Sequence, residues 1–127
     1  MKICVTSQGK TLDDQVDPRF GRCGYFIVVD TDTLGFEAIE NQSAQFSGGA
    51  GIQSGQMMAS KGVKVVLTGN VGPNAFQTLT AGGIKIYIGL SGTVREAVEK
   101  YKTGTLKPVE NSNVGSKFGM PGSGKNS

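Results

Sequence analysis

The chain has 127 residues, enough for one domain with a buried core, and its 37% hydrophobic and 18% charged residues are an ordinary globular mixture. It contains no histidine, which removes the commonest general base and the commonest metal-ligating side chain together. The net charge of +3 divides into −3 over residues 1–60 and +6 over residues 61–127; the excess is scattered, with no basic run among aromatics, which argues against a nucleic-acid partner.

Met1 leads straight into Lys2-Ile3-Cys4-Val5-Thr6, too short and too polar for the apolar core of a signal peptide. No apolar run approaches the roughly 18 residues of a membrane span. The expectation is a cytoplasmic protein with no membrane partner and two reduced cysteines.

Lys2 to Thr6 predicts a first strand, with Ile3 and Val5 on one face and Cys4 on the other, where a small apolar side chain packs. A polar loop runs from Ser7 to Gly24. Tyr25 to Asp30 is a continuous apolar run suited to a strand covered on both faces. Thr31 to Gly35 makes a hairpin turn, with Asp30 and Asp32 serving it, and Phe36 to Glu40 follows as an edge-like strand. Ser47-Gly48-Gly49-Ala50-Gly51 is a glycine-rich loop before a helix over 52–61, which Gly62 stops. Val63 to Thr68 is the fourth strand. Pro73 opens a second helix that Gly82-Gly83 ends, and Ile84 to Ile88 is the fifth strand. Thr93 and Glu96 form a capping-box pair ahead of Val94, Ala97, Val98 and Tyr101 on one helical face. The domain therefore spans residues 1–110, and 111–127 form a flexible tail of Gly, Ser, Asn and Lys.

The order βββαβαβα has a geometric consequence. In a meander, the first and third strands run the same way. Parallel crossovers to the fourth and fifth strands then bring four connections to one sheet edge, where open α/β sheets place their ligands. Those loops contribute Arg19, Phe20, Arg22 and Cys23; Gly48, Gly49 and Gly51; Asn70, Gly72 and Asn74; and Ser91, Gly92 and Thr93. Three of them open helices, whose N-termini present N–H donors and partial positive charge; with the two arginines they predict an anion site. Cys23, flanked by Arg22, is expected to have a lowered pKa and to offer a thiolate, the form that binds metal.

At Asp17-Pro18-Arg19-Phe20-Gly21-Arg22-Cys23, Gly48-Gly49-Ala50-Gly51-Ile52-Gln53, Thr68-Gly69-Asn70-Val71-Gly72-Pro73-Asn74-Ala75 and Ser91-Gly92-Thr93-Val94-Arg95-Glu96-Ala97, the chain resembles the dinitrogenase iron–molybdenum cofactor biosynthesis proteins, specifically their small stand-alone members. The resemblance implies a ribonuclease-H-like α/β fold, a three-layer structure with a five-stranded mixed sheet in the order 3-2-1-4-5, strand two antiparallel, and helices on both faces. It implies binding, carriage or storage of an anionic metal–sulfur cluster: an iron–molybdenum cofactor-like species, a molybdenum–copper sulfide or an iron–sulfur species. Its implied protein partners are a cluster-assembly protein or a P-loop ATPase. Some relatives use histidine as a cluster ligand. This sequence has none, which leaves Cys23 as the metal ligand, or noncovalent anion binding, as the means.

Two other functional classes compete with this reading. A nuclease of this fold needs clustered carboxylates, usually with one on the first strand, and Lys2 to Thr6 carries no acid. A regulatory module binding a phosphate-bearing ligand or a partner protein is the alternative, although neither a Walker A sequence nor Gly-x-Gly-x-x-Gly after the first strand is present. The reading is a binding protein without catalysis.

Overall fold

The computed structural model describes residues 1–42 and 50–109. Gly48 and Gly49 of the predicted site, and the predicted tail, lie outside the described residues. The elements are β1 (Lys2–Ser7), β2 (Tyr25–Asp30), β3 (Phe36–Glu40), α1 (Ala50–Ser60), β4 (Val63–Leu67), α2 (Pro73–Ala81), β5 (Lys85–Tyr87) and α3 (Val94–Lys102). The sheet order is β3-β2-β1-β4-β5, as the resemblance implies. β2 is antiparallel to β1 and β3, while β4 is parallel to β1 and β5 to β4.

Period-two alternation sorts the strand residues onto two faces. Cys4 lies beside Val28 and Val66 in register and, with Phe26, faces Met58 of α1 and Ala75 and Leu79 of α2. On the other face Ile3, Val5, Ile27, Val29, Val65 and Leu67 pack against Val94, Ala97 and Val98 of α3. β1, central in the sheet, is buried from Ile3 to Ser7. β3 is the expected edge: only Ile39 of its five residues is half-buried. At the opposite edge the Val109 amide donates to the Ile86 carbonyl at 2.8 Å. Among the described residues no helix is long and apolar enough to cross a membrane.

Several boundaries differ from the sequence reading by one or two residues, among them both ends of α1 and β5 and the last residues of β1 and β4. α1 begins at Ala50 rather than Ile52, so Gly51 lies within the helix, where it is a contact point: a Cβ there would come within 2.9 Å of the Ala75 Cβ, and at Gly55 within 2.7 Å of Thr78 Cγ2. Glycine brings the two parallel helices to close packing. β5 starts at Lys85 because the Ile84 amide belongs to the end of α2, donating to the Leu79 carbonyl at 2.9 Å while Gly83, at φ +77°, donates to Thr80. This is the Schellman closure.

Candidate functional site

The loop between β1 and β2 crosses the sheet edge and is fixed there from both sides. On its first half, the Val16 amide donates to the Gly92 carbonyl at 2.8 Å, and Gln15 bridges to Thr93. The Val94 and Arg95 amides donate to the carbonyls of Asp14 and Leu12 at 2.9 and 2.8 Å. The capping box is present: the Glu96 amide donates to Thr93 Oγ1 at 3.1 Å and the Thr93 amide to Glu96 Oε1 at 2.8 Å. The first N–H groups of α3 therefore all have protein acceptors. The α3 N-terminus, expected to face an anion, is closed by the Asp14 and Leu12 carbonyls of this loop. Ser91 is exposed beside it, and Gly92, at φ +82°, leaves room for the Glu96 carboxylate.

The second half of the loop lies against the turn after β4. Thr6 Oγ1, on β1, donates to the Asp17 carbonyl at 2.6 Å and shares a hydroxyl–hydroxyl bond of 2.8 Å with Thr68. The Asp17 amide donates to the Thr6 carbonyl at 2.9 Å. Arg19 bridges to Asn70 in parallel sense; the Phe20 amide donates to the Asn70 carbonyl, and Asn70 Nδ2 donates to the Pro18 carbonyl, both at 3.2 Å. Two residues on, Gly72 is the N-cap of α2 and supplies no side-chain cap, and Pro73 opens the first turn. Arg19, Asn70, Gly72 and Asn74 are thus gathered around the α2 N-terminus, and Arg19, Arg22 and Asn74 are exposed. Gly51 packs against α2, so its immediate role is helix contact.

Phe20 and Cys23 face inward. Phe20 is buried, with its ring centroid 5.6 Å from that of Phe26. Cys23 is fully buried in the same cluster as Cys4 and Met58. The thiolate expected from its arginine neighbour is not what the fold favours: burial, assisted by the charge of Asp17, pushes the Cys23 thiol up to about 12. The loop places the thiol under the surface while Arg22 stays outside. Burial also raises the Cys4 thiol. Among the described residues no three histidine, cysteine, aspartate or glutamate side chains gather as metal ligands. The described donor set suits an anion held by charge and N–H groups better than a metal held by protein thiolates.

Sequence reasoning missed two residues that build this edge. Asn41, just after β3, is buried and its Nδ2 donates to the carbonyls of Gly21 at 3.0 Å and Cys23 at 2.9 Å. Asp17 has a nearly buried carboxylate on which the Arg19 amide and guanidinium converge. The Asp-Pro-Arg spacing carried a signal for the second, since aspartate commonly accepts from the amide two residues on. For Asn41 the sequence carried none.

A profile described as dinitrogenase iron-molybdenum cofactor matches residues 1–104. The orange protein of Desulfovibrio gigas, solved in its apo form, is 44% identical with a TM-score of 0.86, over 89% of this chain and 96% of that one. A NifB-like protein from Thermotoga, solved by NMR, is 40% identical with a TM-score of 0.74, over 84% and 91% of the two chains. An uncharacterized protein of Methanocaldococcus jannaschii is 28% identical over 101 residues, 77% of this chain and 86% of its own. The match over residues 1–104, the shared sheet order and the likeness to the orange protein agree with the four sequence motifs: the chain belongs to the dinitrogenase iron–molybdenum cofactor family.

Proposed function

We propose that this protein carries or stores an anionic metal–sulfur cluster, built from iron, molybdenum or copper with sulfide, and does so by binding without catalysis. The observation that carries the reading is the N-terminus of α2, whose N-cap Gly72 supplies no side-chain cap among the described residues, adjoining Asn70 and the exposed Arg19. A helix start of this kind offers N–H donors and positive potential, and arginine adds charge-assisted donors. Cluster sulfides are acceptors of low charge density that a cradle of this type satisfies without a covalent bond. Cys23 ligation belongs to the same proposal only as a second stage, because the loop that buries it would have to open first.

A phosphate-bearing ligand would use the same donors, so the test sets the two against each other. Tetrathiomolybdate, reconstituted iron sulfide, inorganic phosphate and a panel of nucleotides are screened by thermal shift. A ligand at a hundredfold excess over its Kd adds about 2.7 kcal/mol of stability. The proposal expects the metal–sulfur species to raise the midpoint by several degrees and the nucleotides to leave it unmoved. The reverse pattern would replace it with the regulatory reading.

A further inference from the structure

A carboxylate stands where an anion is expected to bind, and charge alone gives it no place there. Asp17 has a side chain only 5% exposed, beside an Arg19 side chain 63% exposed. Its oxygens are directed at that arginine: the Arg19 amide donates to Oδ1 at 3.0 Å, Nε to Oδ1 at 3.2 Å and Nη2 to Oδ2 at 3.3 Å. Asp17 is itself fixed by the central strands, through its amide on the Thr6 carbonyl and its carbonyl on the Thr6 hydroxyl, which in turn pairs with Thr68. A continuous series of short bonds therefore runs from Thr68, just after β4, through β1 to an exposed guanidinium.

We infer that Asp17 is a positioning residue that holds the Arg19 fork in the orientation the anion needs. The inference rests on the anion-binding reading above and names how that site is pre-formed. Asp17 engages one edge of the planar guanidinium and leaves the remaining N–H groups turned away from it, toward solvent. An arginine already held loses less rotamer freedom on binding, which offsets the repulsion between the carboxylate and the anion.

The two effects have opposite signs, so one substitution separates them. Asp17→Asn removes a negative charge beside the anion and one partner of the fork. If Asp17 acts only as a charge, the variant binds anion more tightly. If it positions Arg19, the variant binds more weakly, by about three- to tenfold, the scale of releasing one long side chain. The experiment titrates the full chain with tetrathiomolybdate, followed by visible absorption, for the parent, Asp17→Asn, Arg19→Ala, Arg19→Lys and the double variant. Positioning predicts that Asp17→Asn loses affinity, that it loses nothing further in the Arg19→Ala background, and that Arg19→Lys, which keeps the charge without the fork, binds nearly as poorly as Arg19→Ala. Should Asp17→Asn fail to fold, the Arg19→Lys comparison decides alone. Equal or tighter binding by a folded Asp17→Asn, or parental binding by Arg19→Lys, overturns the inference while leaving anion binding intact. Absence of binding by the parent removes the anion-binding reading and this inference with it.

Discussion

Gly69 and Pro18 touch backbone to backbone: a Cβ at position 69 would lie 2.7 Å from the Pro18 Cα and 2.9 Å from its carbonyl oxygen. This contact brings the β1–β2 loop onto the turn that leads into α2, so two loops distant in sequence form one surface. Gly69→Ala should push them apart. Because the obstructing atoms are backbone and a proline ring, relief requires the loop to move, and the cost should be about 1–3 kcal/mol, the usual range for overpacking. Thermal unfolding measures it; an unchanged midpoint would mean that the two loops are not rigidly joined.

Asn41 predicts a change in reactivity as well as stability. Asn41→Ala removes a buried donor from the carbonyls of Gly21 and Cys23. Leaving buried acceptors unpaired costs about 1–3 kcal/mol. The 21–24 segment should then open more often, and Cys23 should react faster with a thiol reagent than in the parent. Equal alkylation rates in the two proteins would show that Asn41 does not hold the segment closed.

The cysteines set an alkaline limit. The Cys23 thiol has an ordinary value of 9.0 and is raised to about 12 in the fold, mainly by burial. In the unfolded chain it ionises first, so the unfolded state binds fewer protons between these values and stability falls as pH rises from about 9 toward 12. The slope is about 1.4 kcal/mol per pH unit for one such group. Below pH 9 the contribution is constant. Urea unfolding of the parent and of Cys23→Ala across this range should show a shallower decline in the variant. Parallel curves would contradict the assignment.

Ser54 offers a gain. It is buried on α1, and its Oγ has no hydrogen-bond partner among the described residues. Ser54→Ala removes an unsatisfied hydroxyl and inserts a better helix former, so it should stabilise the protein by roughly 1 kcal/mol. A lower thermal midpoint would show that the hydroxyl is satisfied in solution.

Much of this architecture is written locally in the chain. The unbroken apolar run of β2, Pro73 at the start of α2, Gly82-Gly83 at its end and the Thr93–Glu96 box each describe their own neighbourhood, and together they fix the order of elements. What was not legible depends on contacts between distant segments. The α3 N-terminus looked open because its acceptors, the carbonyls of Leu12 and Asp14, are backbone groups of a loop about 80 positions earlier, and any residue type supplies a carbonyl. Cys23 looked like a reactive loop thiol because its arginine neighbour is adjacent in sequence, whereas the Asn41 side chain that ties down its loop comes from the far end of β3. Asp17 was visible in the motif, but its task appears only when its carboxylate is seen beneath the guanidinium.

The most direct test of the account is anaerobic reconstitution with tetrathiomolybdate, or with iron and sulfide, followed by gel filtration of the parent and of the combined Arg19→Ala, Arg22→Ala variant at low and high salt. Metal analysis and visible absorption of the protein peak report retention. The account predicts that the parent keeps the metal–sulfur species at low salt and loses much of it at high salt, where exposed charges are screened over about 3 Å rather than about 10 Å. It predicts that the arginine variant retains little in either buffer. Retention by the variant equal to the parent and indifferent to salt, or no retention by the parent at all, would contradict it.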